Sequence, residues 1–451
     1  MTWPFPNTIK RVHTISSAAL LIAIILTGGL LLSGCDESSQ KPTIESPEFG
    51  IQRSQLNRDL TPDVSTSDFN QHIRDNHDYA LAFYNQVRDQ GEWAGNNLLI
   101  SPLSMRTAFS QAFAGARGRT ETEIAEVLRY SLGQTGTHEA TNMLTLALES
   151  RNDAGDPRQG EFPIEVKTVN AFWGRQDEVF RADYLDQLAV NYGAAIYTLD
   201  YRAMPDAARV IINDWVADQT RNRIEDLLPE GSIDNSTVAV LTNAVYFKAP
   251  WRTPFIEDLT APGQFNLIGG SQVTAEMMNT TENFYYAAGD GYQALELPFR
   301  REELGMLFIL PATGQLSTLE SELDTGRLAS IIDALEYSTI NVTIPKFSFE
   351  SAFTMKEMLQ QMGMIDPFLE TADFTGMLER GGIFIDDAYH KTFIAVDEMG
   401  AEAAAATAIV IGETSIPIEE HEFTADRPFL FFIRDRITGA ILFMGRVVDP
   451  S

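Results

Sequence analysis

The chain has 451 residues, of which 44% are apolar and 21% are charged, so it is long enough to bury one large core or two ordinary ones. Its 33 basic and 63 acidic residues give a formal net charge of -30, which opposes binding to nucleic acid and to anionic membrane surfaces. The composition therefore predicts a folded protein that binds no nucleic acid.

The N-terminus has the features of a targeting signal. Lys10 and Arg11 form a short basic region, and the apolar stretch at 18–32 is too short for a comfortable membrane span. It leads into a Leu-Ser-Gly-Cys sequence that resembles the lipobox of bacterial lipoproteins and ends in Cys35, the only cysteine. We interpret residues 1–34 as a lipoprotein signal peptide and Cys35 as the lipidated residue. The alternative is an ordinary signal peptide, or an anchor helix, with a chance cysteine.

Residues 35–67 are polar, contain three prolines and show no sustained apolar periodicity, which predicts a flexible tether. A tether of this length would reach on the order of 30 Å. The sequence therefore predicts one folded domain at 68–451. We expect it to be extracytoplasmic and held to a cell membrane or envelope through Cys35.

Helical periodicity dominates the first half of this domain. Apolar residues recur at helical spacing, Ser101 followed by Pro102 indicates a helix start, and Thr120 with Glu123 resembles a capping box. The predicted helices cover 69–87, 101–113, 120–128, 182–192 and 207–220.

Strand patterns dominate the second half, where β-branched and aromatic residues are frequent. The predicted strands cover 97–100, 164–173, 238–247, 306–310, 340–349, 383–394, 429–433 and 440–444, with a hairpin turn at 435–439. Because helices come early and strands late, without regular alternation between them, the pattern predicts an α+β fold.

Motifs for metal, nucleotide and redox chemistry are missing from the sequence. It contains no GxGxxG, P-loop, GxSxG or HExxH pattern, and its six histidines show no ligand spacing. His72 and His77 lie on a polar helix face, which we interpret as a solvated pair. We therefore expect no metal and no cofactor.

Four polar residues raise the question of a hydrolase. Ser101 or Ser104 could act as a nucleophile, His390 as its base and Asn243 as an orienting group. Helix capping and strand-like flanking sequence explain the same residues, so we favour a buried polar network over a catalytic triad.

A run of small residues near the C-terminus does not fit an ordinary fold. Residues 394–411 read IAVDEMGAEAAAATAIVI. Alanine favours helices, but this run has no apolar face that could hold a helix against a core. Such a segment could instead enter a gap between strands, where bulky or charged side chains would be blocked.

Residues 397–407 resemble the reactive-loop hinge of inhibitory serpins, a family of serine protease inhibitors. The matching residues are Glu398, Gly400, Ala401, Glu402, Ala403, Ala404, Ala405, Ala406 and Thr407. Alanine stands at 401 where the family commonly has threonine. Further family-like segments follow in the family's order at 97–104, 212–216, 241–248 (with Trp251 and Phe255), 296–299, 344–347 and 427–431, so the resemblance spans about 70–449.

The resemblance implies a serpin fold with three β-sheets, a shell of eight to nine helices and an exposed reactive loop at about 398–426. It also implies a suicide substrate and not an enzyme: a target serine protease cleaves the loop, the loop inserts into the largest sheet, and the acyl-enzyme is trapped. The polar network of Ser101, Ser104, Asn243 and His390 falls where the family controls sheet opening. We expect a monomer whose partners are the target protease and, through Cys35, a membrane.

The sequence after residue 414 resembles the family's sequence after the cleaved bond, which places that bond at Thr414–Ser415. Because the loop is longer than usual, Ile411–Gly412 and Glu413–Thr414 are alternatives. Thr414 suits an elastase-like, subtilisin-like or other broad-specificity protease, and Glu413 a glutamyl endopeptidase. The alternative function is that of a non-inhibitory serpin-fold binding protein of the cell envelope, whose hinge would normally carry bulky, charged or proline residues.

Overall fold

The computed structural model describes residues 49–402 and 421–451 of the chain. The predicted signal peptide and Cys35 lie outside these ranges. Part of the predicted hinge and both residues of the predicted scissile bond also lie outside them, namely Ala403, Ala404, Ala405, Ala406, Thr407, Thr414 and Ser415.

The described residues form an α+β fold, as the sequence predicts. The α-helices are α1 (Thr66–Val87), α2 (Pro102–Gly115), α3 (Gly118–Leu128), α4 (Gly133–Glu149), α5 (Ala182–Tyr192), α6 (Pro205–Gln219), α7 (Leu316–Glu322), α8 (Thr325–Asp333) and α9 (Lys356–Gln361). The strands are β1 (Gly50–Gln52), β2 (Leu98–Ile100), β3 (Glu165–Arg175), β4 (Ile196–Leu199), β5 (Ala239–Pro250), β6 (Ala261–Asn266), β7 (Gln272–Gly289), β8 (Tyr292–Pro298), β9 (Leu304–Pro311), β10 (Glu336–Pro345), β11 (Phe347–Thr354), β12 (Ala388–Asp397), β13 (Gly400–Ala401), β14 (His421–Thr424), β15 (Phe429–Asp435) and β16 (Ile441–Val447).

Within the described part of the chain, seven strands form the central sheet, in the order β1-β4-β3-β5-β13-β12-β11. Side chains alternate between its two faces along each strand. Phe172 and Leu241 belong to the apolar cluster that contains α2, whereas Trp173 and Val240 belong to the cluster that contains α6. The central sheet is therefore covered by a helix on each face.

The remaining strands form one continuous second sheet, β14-β10-β7-β8-β9-β15-β16-β2, with β6 paired to β7. The resemblance implies three sheets, but the strands of the described residues join into two. The reason is β7, an 18-residue strand that pairs with β6 at its start, with β10 over its middle ten residues and with β8 at its end. This one strand connects two groups of strands that would otherwise be separate sheets.

Helix α2 is the central element of the core. Pro102 occupies its first turn, where the missing N–H costs nothing. All of its residues are buried, because it packs against β3, β5 and β16 and so lies between the two sheets. A helix that is buried on every side shows no solvent-facing polar stripe. Its buried polar side chains find partners inside the protein, as Arg106 does at the carbonyl of Leu128.

The packed chain begins well before residue 68. β1 pairs with β4 in antiparallel fashion, and the ring of Phe49 lies 5.6 Å from that of Trp173. The guanidinium of Arg58 donates to Asn142 over 2.8 Å. Residues 49–67 are therefore docked on the domain and do not belong to a free tether. Their partners lie far along the chain, so local composition did not reveal this docking.

The interpretation of His72 and His77 as a solvated pair is wrong. His72 is buried, and this burial, with the Arg106 charge, lowers its pKa well below the ordinary value. The Nε2–H of His77 donates to the carbonyl of Gly439 over 2.8 Å. The polar face of α1 turns inward because its groups find hydrogen-bond partners on other elements.

The capping box predicted from Thr120 and Glu123 is also wrong. Helix α3 begins at Gly118, and the hydroxyl of Thr120 donates to the carboxylate of Asp366 over 2.5 Å. The carboxylate of Glu123 accepts the backbone N–H groups of Ile365 and Asp366. The two side chains hold a remote turn in place instead of the start of their own helix.

Candidate functional site

The candidate site is the gap between β5 and β12 in the central sheet. The two strands pair directly, in parallel, only from Ala388 to Lys391 on β12 and from Leu241 to Ala244 on β5. Beyond that ladder they separate. β13 lies between them at the upper end, opposite Val396 and Asp397 of β12 and Ala249 and Pro250 of β5. The gap is thus closed by direct pairing below and by two hinge residues above.

The two hinge residues fit this position because of their small size. A Cβ on Gly400 would lie 2.2 Å from the carbonyl oxygen of Ala249, so a larger residue would clash with the β5 backbone. Ala401 is 2% exposed and packs in the apolar cluster between the sheets. The carboxylate of Asp397 accepts the N–H groups of Met399 and Gly400, which fixes the turn that leads into β13.

Glu398 is held in this turn by two side-chain partners. Its carboxylate accepts a hydrogen bond from Thr260 over 2.8 Å and pairs with Lys346 at 2.8 Å. Burial alone would raise the pKa of Glu398, but the bonds from Lys346 and Thr260 outweigh it and leave the pKa below the ordinary value. The carboxylate is therefore ionised at neutral pH and anchors the start of the hinge.

Glu402 is the last described residue before the loop. Its side chain pairs with Arg223, which donates from Nε to Oε1 over 2.7 Å. Burial raises the pKa of Glu402, although Arg223 acts in the opposite direction.

The four predicted network residues lie together under the ladder. Nε2 of His390 accepts the backbone N–H of Ser101 over 3.1 Å, so the ring proton is on Nδ1, which donates to Oδ1 of Asn243 over 2.6 Å. The same Oδ1 accepts the hydroxyl of Ser104 over 2.7 Å. The amide of Asn243 donates to Asn170 on β3. The network joins α2, β3, β5 and β12.

This geometry contradicts a catalytic triad. The hydroxyl of Ser101 donates to the carbonyl of Leu442, and that of Ser104 donates to Asn243, so neither points at a basic nitrogen. Burial lowers the pKa of His390 to about 3, which keeps the ring neutral and a poor base at neutral pH. All four side chains are at most 4% exposed, so a substrate has no access to them. These hydrogen bonds form a structural network, which is the interpretation that the sequence analysis favoured over a triad.

The network is tied directly to the strand ladder. His390 and Asn243 are opposite each other in the parallel pairing of β12 with β5. Their side-chain bond therefore spans the same two strands as the backbone ladder. Separating the strands would break both together.

The described ranges contain no cluster that could bind a metal and no helix that could span a membrane. No group of three or more His, Cys, Asp or Glu side chains in residues 49–402 and 421–451 could hold a metal ion. None of the helices in these ranges is long and apolar enough to cross a bilayer. That the protein needs no metal and no cofactor stays a prediction.

Sequence reasoning missed the partners of the hinge. It used Trp251 and Lys346 only as parts of motifs, yet the Trp251 indole N–H donates to the carbonyl of Asp397 over 3.0 Å. It gave no role to Thr260 or Arg223. Their contacts with the hinge cross more than a hundred residues of sequence, so no local pattern could have revealed them.

Comparisons with known proteins agree with this geometry. The model of the serpin (serine protease inhibitor) family matches residues 74–450. A serpin-like protein of Thermococcus kodakarensis is 38% identical over 365 residues, covering 80% of this chain and 83% of that protein. Antithrombin-III of Mus musculus is 34% identical over 377 residues, covering 82% and 80%. The structure of uncleaved ovalbumin has a TM-score of 0.75 at 25% identity, covering 84% of this chain and 100% of that one. The chain therefore belongs to the serpin family.

Proposed function

We propose that the protein is an inhibitory serpin, a suicide substrate that traps a serine protease by inserting its cleaved loop between β5 and β12. The observation that carries this proposal is β13. Two hinge residues pair with both strands of the gap, so a strand that entered there would have a fixed start and a fixed register.

The register can be extended along the loop. Gly400 lies opposite Pro250, and in an antiparallel strand each further loop residue moves one residue back along β5. Position 411 then falls opposite Ala239, the first residue of β5. Residues 400–411 thus match the 12 residues of β5 one for one. Between Gly400 and position 408 the loop contains only small residues, apart from Glu402.

Because side chains alternate between the two faces of a sheet, each position of an inserted loop can be assigned to one face of the central sheet. Ala401 is buried, so residues 403, 405 and 407 would face the same apolar cluster, whereas 402 and 404 would face the other side. Alanines at 403 and 405 can enter without displacing core side chains. The sequence is therefore suited to insertion where the core leaves little room.

Insertion must open the lower end of the gap. A new strand moves β5 and β12 from neighbours at about 4.8 Å to second neighbours at about 9.6 Å. The four-residue ladder and the His390–Asn243 bond must both break. The gain is a new pair of ladders along the loop. We propose that the uncleaved fold is held by this barrier and is not at its lowest free energy.

The same proposal covers the target and the location. We propose Thr414–Ser415 as the cleaved bond and an elastase-like, subtilisin-like or other broad-specificity serine protease as the target. No Lys or Arg lies between 394 and 427, so the loop disfavours trypsin-like proteases. We further propose that the protein is a monomeric, extracytoplasmic lipoprotein anchored through Cys35 and is not itself an enzyme.

The test is to incubate the protein with elastase-like, subtilisin-like, glutamyl and trypsin-like proteases. An SDS-stable adduct of the summed mass, with the acyl bond at Thr414, is expected with the first two. Clean cleavage by proteases that stay active would refute the inhibitory function and favour a non-inhibitory binding protein. Mapping the cut by mass spectrometry distinguishes Thr414 from Glu413 and Ile411.

A further inference from the structure

The second sheet carries a regular array of uncharged polar side chains on the outer face of β7 and β10. The two strands are antiparallel, and Ile340, Val342 and Ile344 of β10 are buried, so the residues between them point outward. Four directly opposed pairs lie on this outward side: Asn279 with Thr343, Thr281 with Asn341, Asn283 with Thr339, and Tyr285 with Tyr337. We call these eight residues the outer polar face. An amide is opposed to a hydroxyl in three of the pairs, and a ring to a ring in the fourth.

Hydrogen bonds between these side chains orient the amides and hydroxyls. Six of them are linked across the strands, in the bonds Asn279–Thr343 (2.8 Å), Asn279–Asn341 (3.2 Å), Asn341–Thr281 (3.3 Å) and Thr339–Asn283 (2.8 Å). Each bond uses only part of the capacity of its members. Among the described residues, none accepts from the hydroxyls of Thr281 and Thr343 or from the amide of Asn283, and none donates to Oδ1 of Asn279. These groups are therefore fixed in position and still available to a ligand.

The two tyrosines extend the outer polar face at one end. Their ring centres lie 5.1 Å apart. The guanidinium of Arg436 lies 4.4 Å from the ring centre of Tyr285, and that of Arg252 lies 5.6 Å from the ring centre of Tyr337, so both rings are held in place. Tyr337 is nevertheless 55% exposed. Its ring offers an apolar surface on which the C–H groups of a sugar ring can pack.

Charge decides which class of ligand this face can accept. None of its eight residues is charged, although the chain has 63 acidic residues and a formal net charge of -30. Glu422 of β14 pairs with Asn341 and so borders the face, which together with the net charge opposes an anionic ligand. A cationic ligand would find no carboxylate among the eight residues. An uncharged ligand rich in hydroxyl groups matches the donors and acceptors without either penalty.

The length of the face decides the shape of the ligand. Residues two apart on a strand are separated by about 6.7 Å, so the four pairs extend over about 20 Å. Strand faces bind oligosaccharides in other folds. We infer that the outer polar face binds an extended, uncharged, β-linked glycan of the cellulose or chitin type. Its amides and hydroxyls bind the hydroxyl groups of the glycan, and Tyr337 packs on one sugar ring. This binding does not depend on the proposed inhibitory function.

The test is calorimetric titration of the purified, uncleaved protein with cellohexaose, chitohexaose and maltohexaose. The first two are extended and β-linked, whereas maltohexaose is α-linked and coiled. We expect binding of at least one of the first two, and at least tenfold weaker binding of the third. Tyr337→Ala should weaken binding about tenfold because the ring is lost, and Thr281→Val about fivefold because one hydroxyl is lost. Urea unfolding should show that both variants are folded.

Thr274→Val is the matched control. Thr274 is also an exposed threonine of β7 and accepts a cross-strand hydrogen bond from Gln264 over 3.3 Å, but it lies outside the outer polar face. Its affinity for the glycan should stay unchanged. Failure of both β-linked hexasaccharides to bind at millimolar concentration would overturn the inference, and so would equal binding of maltohexaose or unchanged affinity of Tyr337→Ala and Thr281→Val. If these two variants instead slow only the formation of a protease adduct, the face docks the protease and the inference is wrong.

Discussion

Replacing Ala403 by Glu should convert the inhibitor into a substrate, whereas Ala404→Glu, one residue further on, should leave inhibition largely intact. The two variants carry the same new charge in the same loop. They differ only in the face of the inserted strand on which that charge falls. Position 403 would enter the apolar cluster between the sheets, and position 404 would face the outer side of the central sheet.

The expected magnitude follows from the residues opposite each position. Position 403 falls between Phe247 and Ile394, which are 7% and 4% exposed. Protonating a glutamate at pH 7 costs about 3.7 kcal/mol, because its ordinary pKa is about 4.3. Burying it ionised and unpaired costs several kcal/mol. If the transition state for insertion carries the full protonation cost of about 3.7 kcal/mol, insertion should slow by about 500-fold.

Position 404 falls between Phe393 and Tyr246. Arg223 stacks on Phe393 and Arg221 on Tyr246, at 5.4 Å and 5.8 Å. A carboxylate at this position therefore meets two cations, and we expect less than about threefold change in the insertion rate.

The assay is the number of inhibitor molecules consumed per protease inactivated, with the cleaved bond mapped by mass spectrometry. Ala403→Glu should be cleaved at the same bond as the unaltered protein while the protease stays active. Ala404→Glu should form the SDS-stable adduct. Full inhibition by Ala403→Glu, or equal failure of both variants, would refute the register and with it the assignment of faces.

Two further predictions concern the stability of the uncleaved domain. Asn243→Ala leaves the His390 Nδ1–H and the Ser104 hydroxyl without their acceptor, so urea unfolding should show a loss of about 2–4 kcal/mol; a loss below about 1 kcal/mol would contradict the network. Burial lowers the pKa of His72, His138 and His390, so these rings take up protons only on unfolding. The free energy of unfolding should therefore decrease as the pH is lowered below about 6.5, by up to about 1.4 kcal/mol per pH unit for each ring. His138→Gln should reduce this dependence on pH by the contribution of one ring.

Local periodicity predicted the helices that have one clearly apolar face and the strands that consist mainly of apolar residues. The helix predicted at 182–192 coincides with α5, and the strand at 429–433 lies within β15. It missed α4, whose 17 residues include two glycines and many small polar side chains. That helix is held by packing against α1, α2 and α5, which depends on the tertiary fold and leaves no local pattern.

The polar face of α1 shows the same limit. Asp75 and Asn76 are 3% and 0% exposed, although their sequence indicates a solvated face. Asp75 accepts a hydrogen bond from Ser131, and Asn76 accepts the N–H of Ile441. Polar groups are buried where distant segments satisfy them, and the sequence near α1 contains no sign of those segments.

The hinge could be identified because its glycine and the small residues after it resemble the family's reactive-loop hinge. The four network residues could be identified because they fall at the positions where the family keeps its polar network. The ion pairs Glu398–Lys346 and Glu402–Arg223 were not visible, because each depends on how distant segments meet. The role of the network in sheet opening stays a prediction, because urea unfolding of the Asn243→Ala variant tests only what the network contributes to the stability of the uncleaved domain.

The two ends of the gap differ in a way that sets the direction of insertion. Opening from below would break the four-residue ladder and the His390–Asn243 bond before any new strand pairing could form. Opening from above extends β13, and positions 402–406 would pair with both strands before position 407 reaches His390 and Asn243. Each loop residue that pairs earlier adds backbone hydrogen bonds, which offset the later loss of the four-residue ladder and the His390–Asn243 bond. Insertion should therefore proceed from the hinge downward, with the polar network as a barrier that only a loop already partly inserted can open.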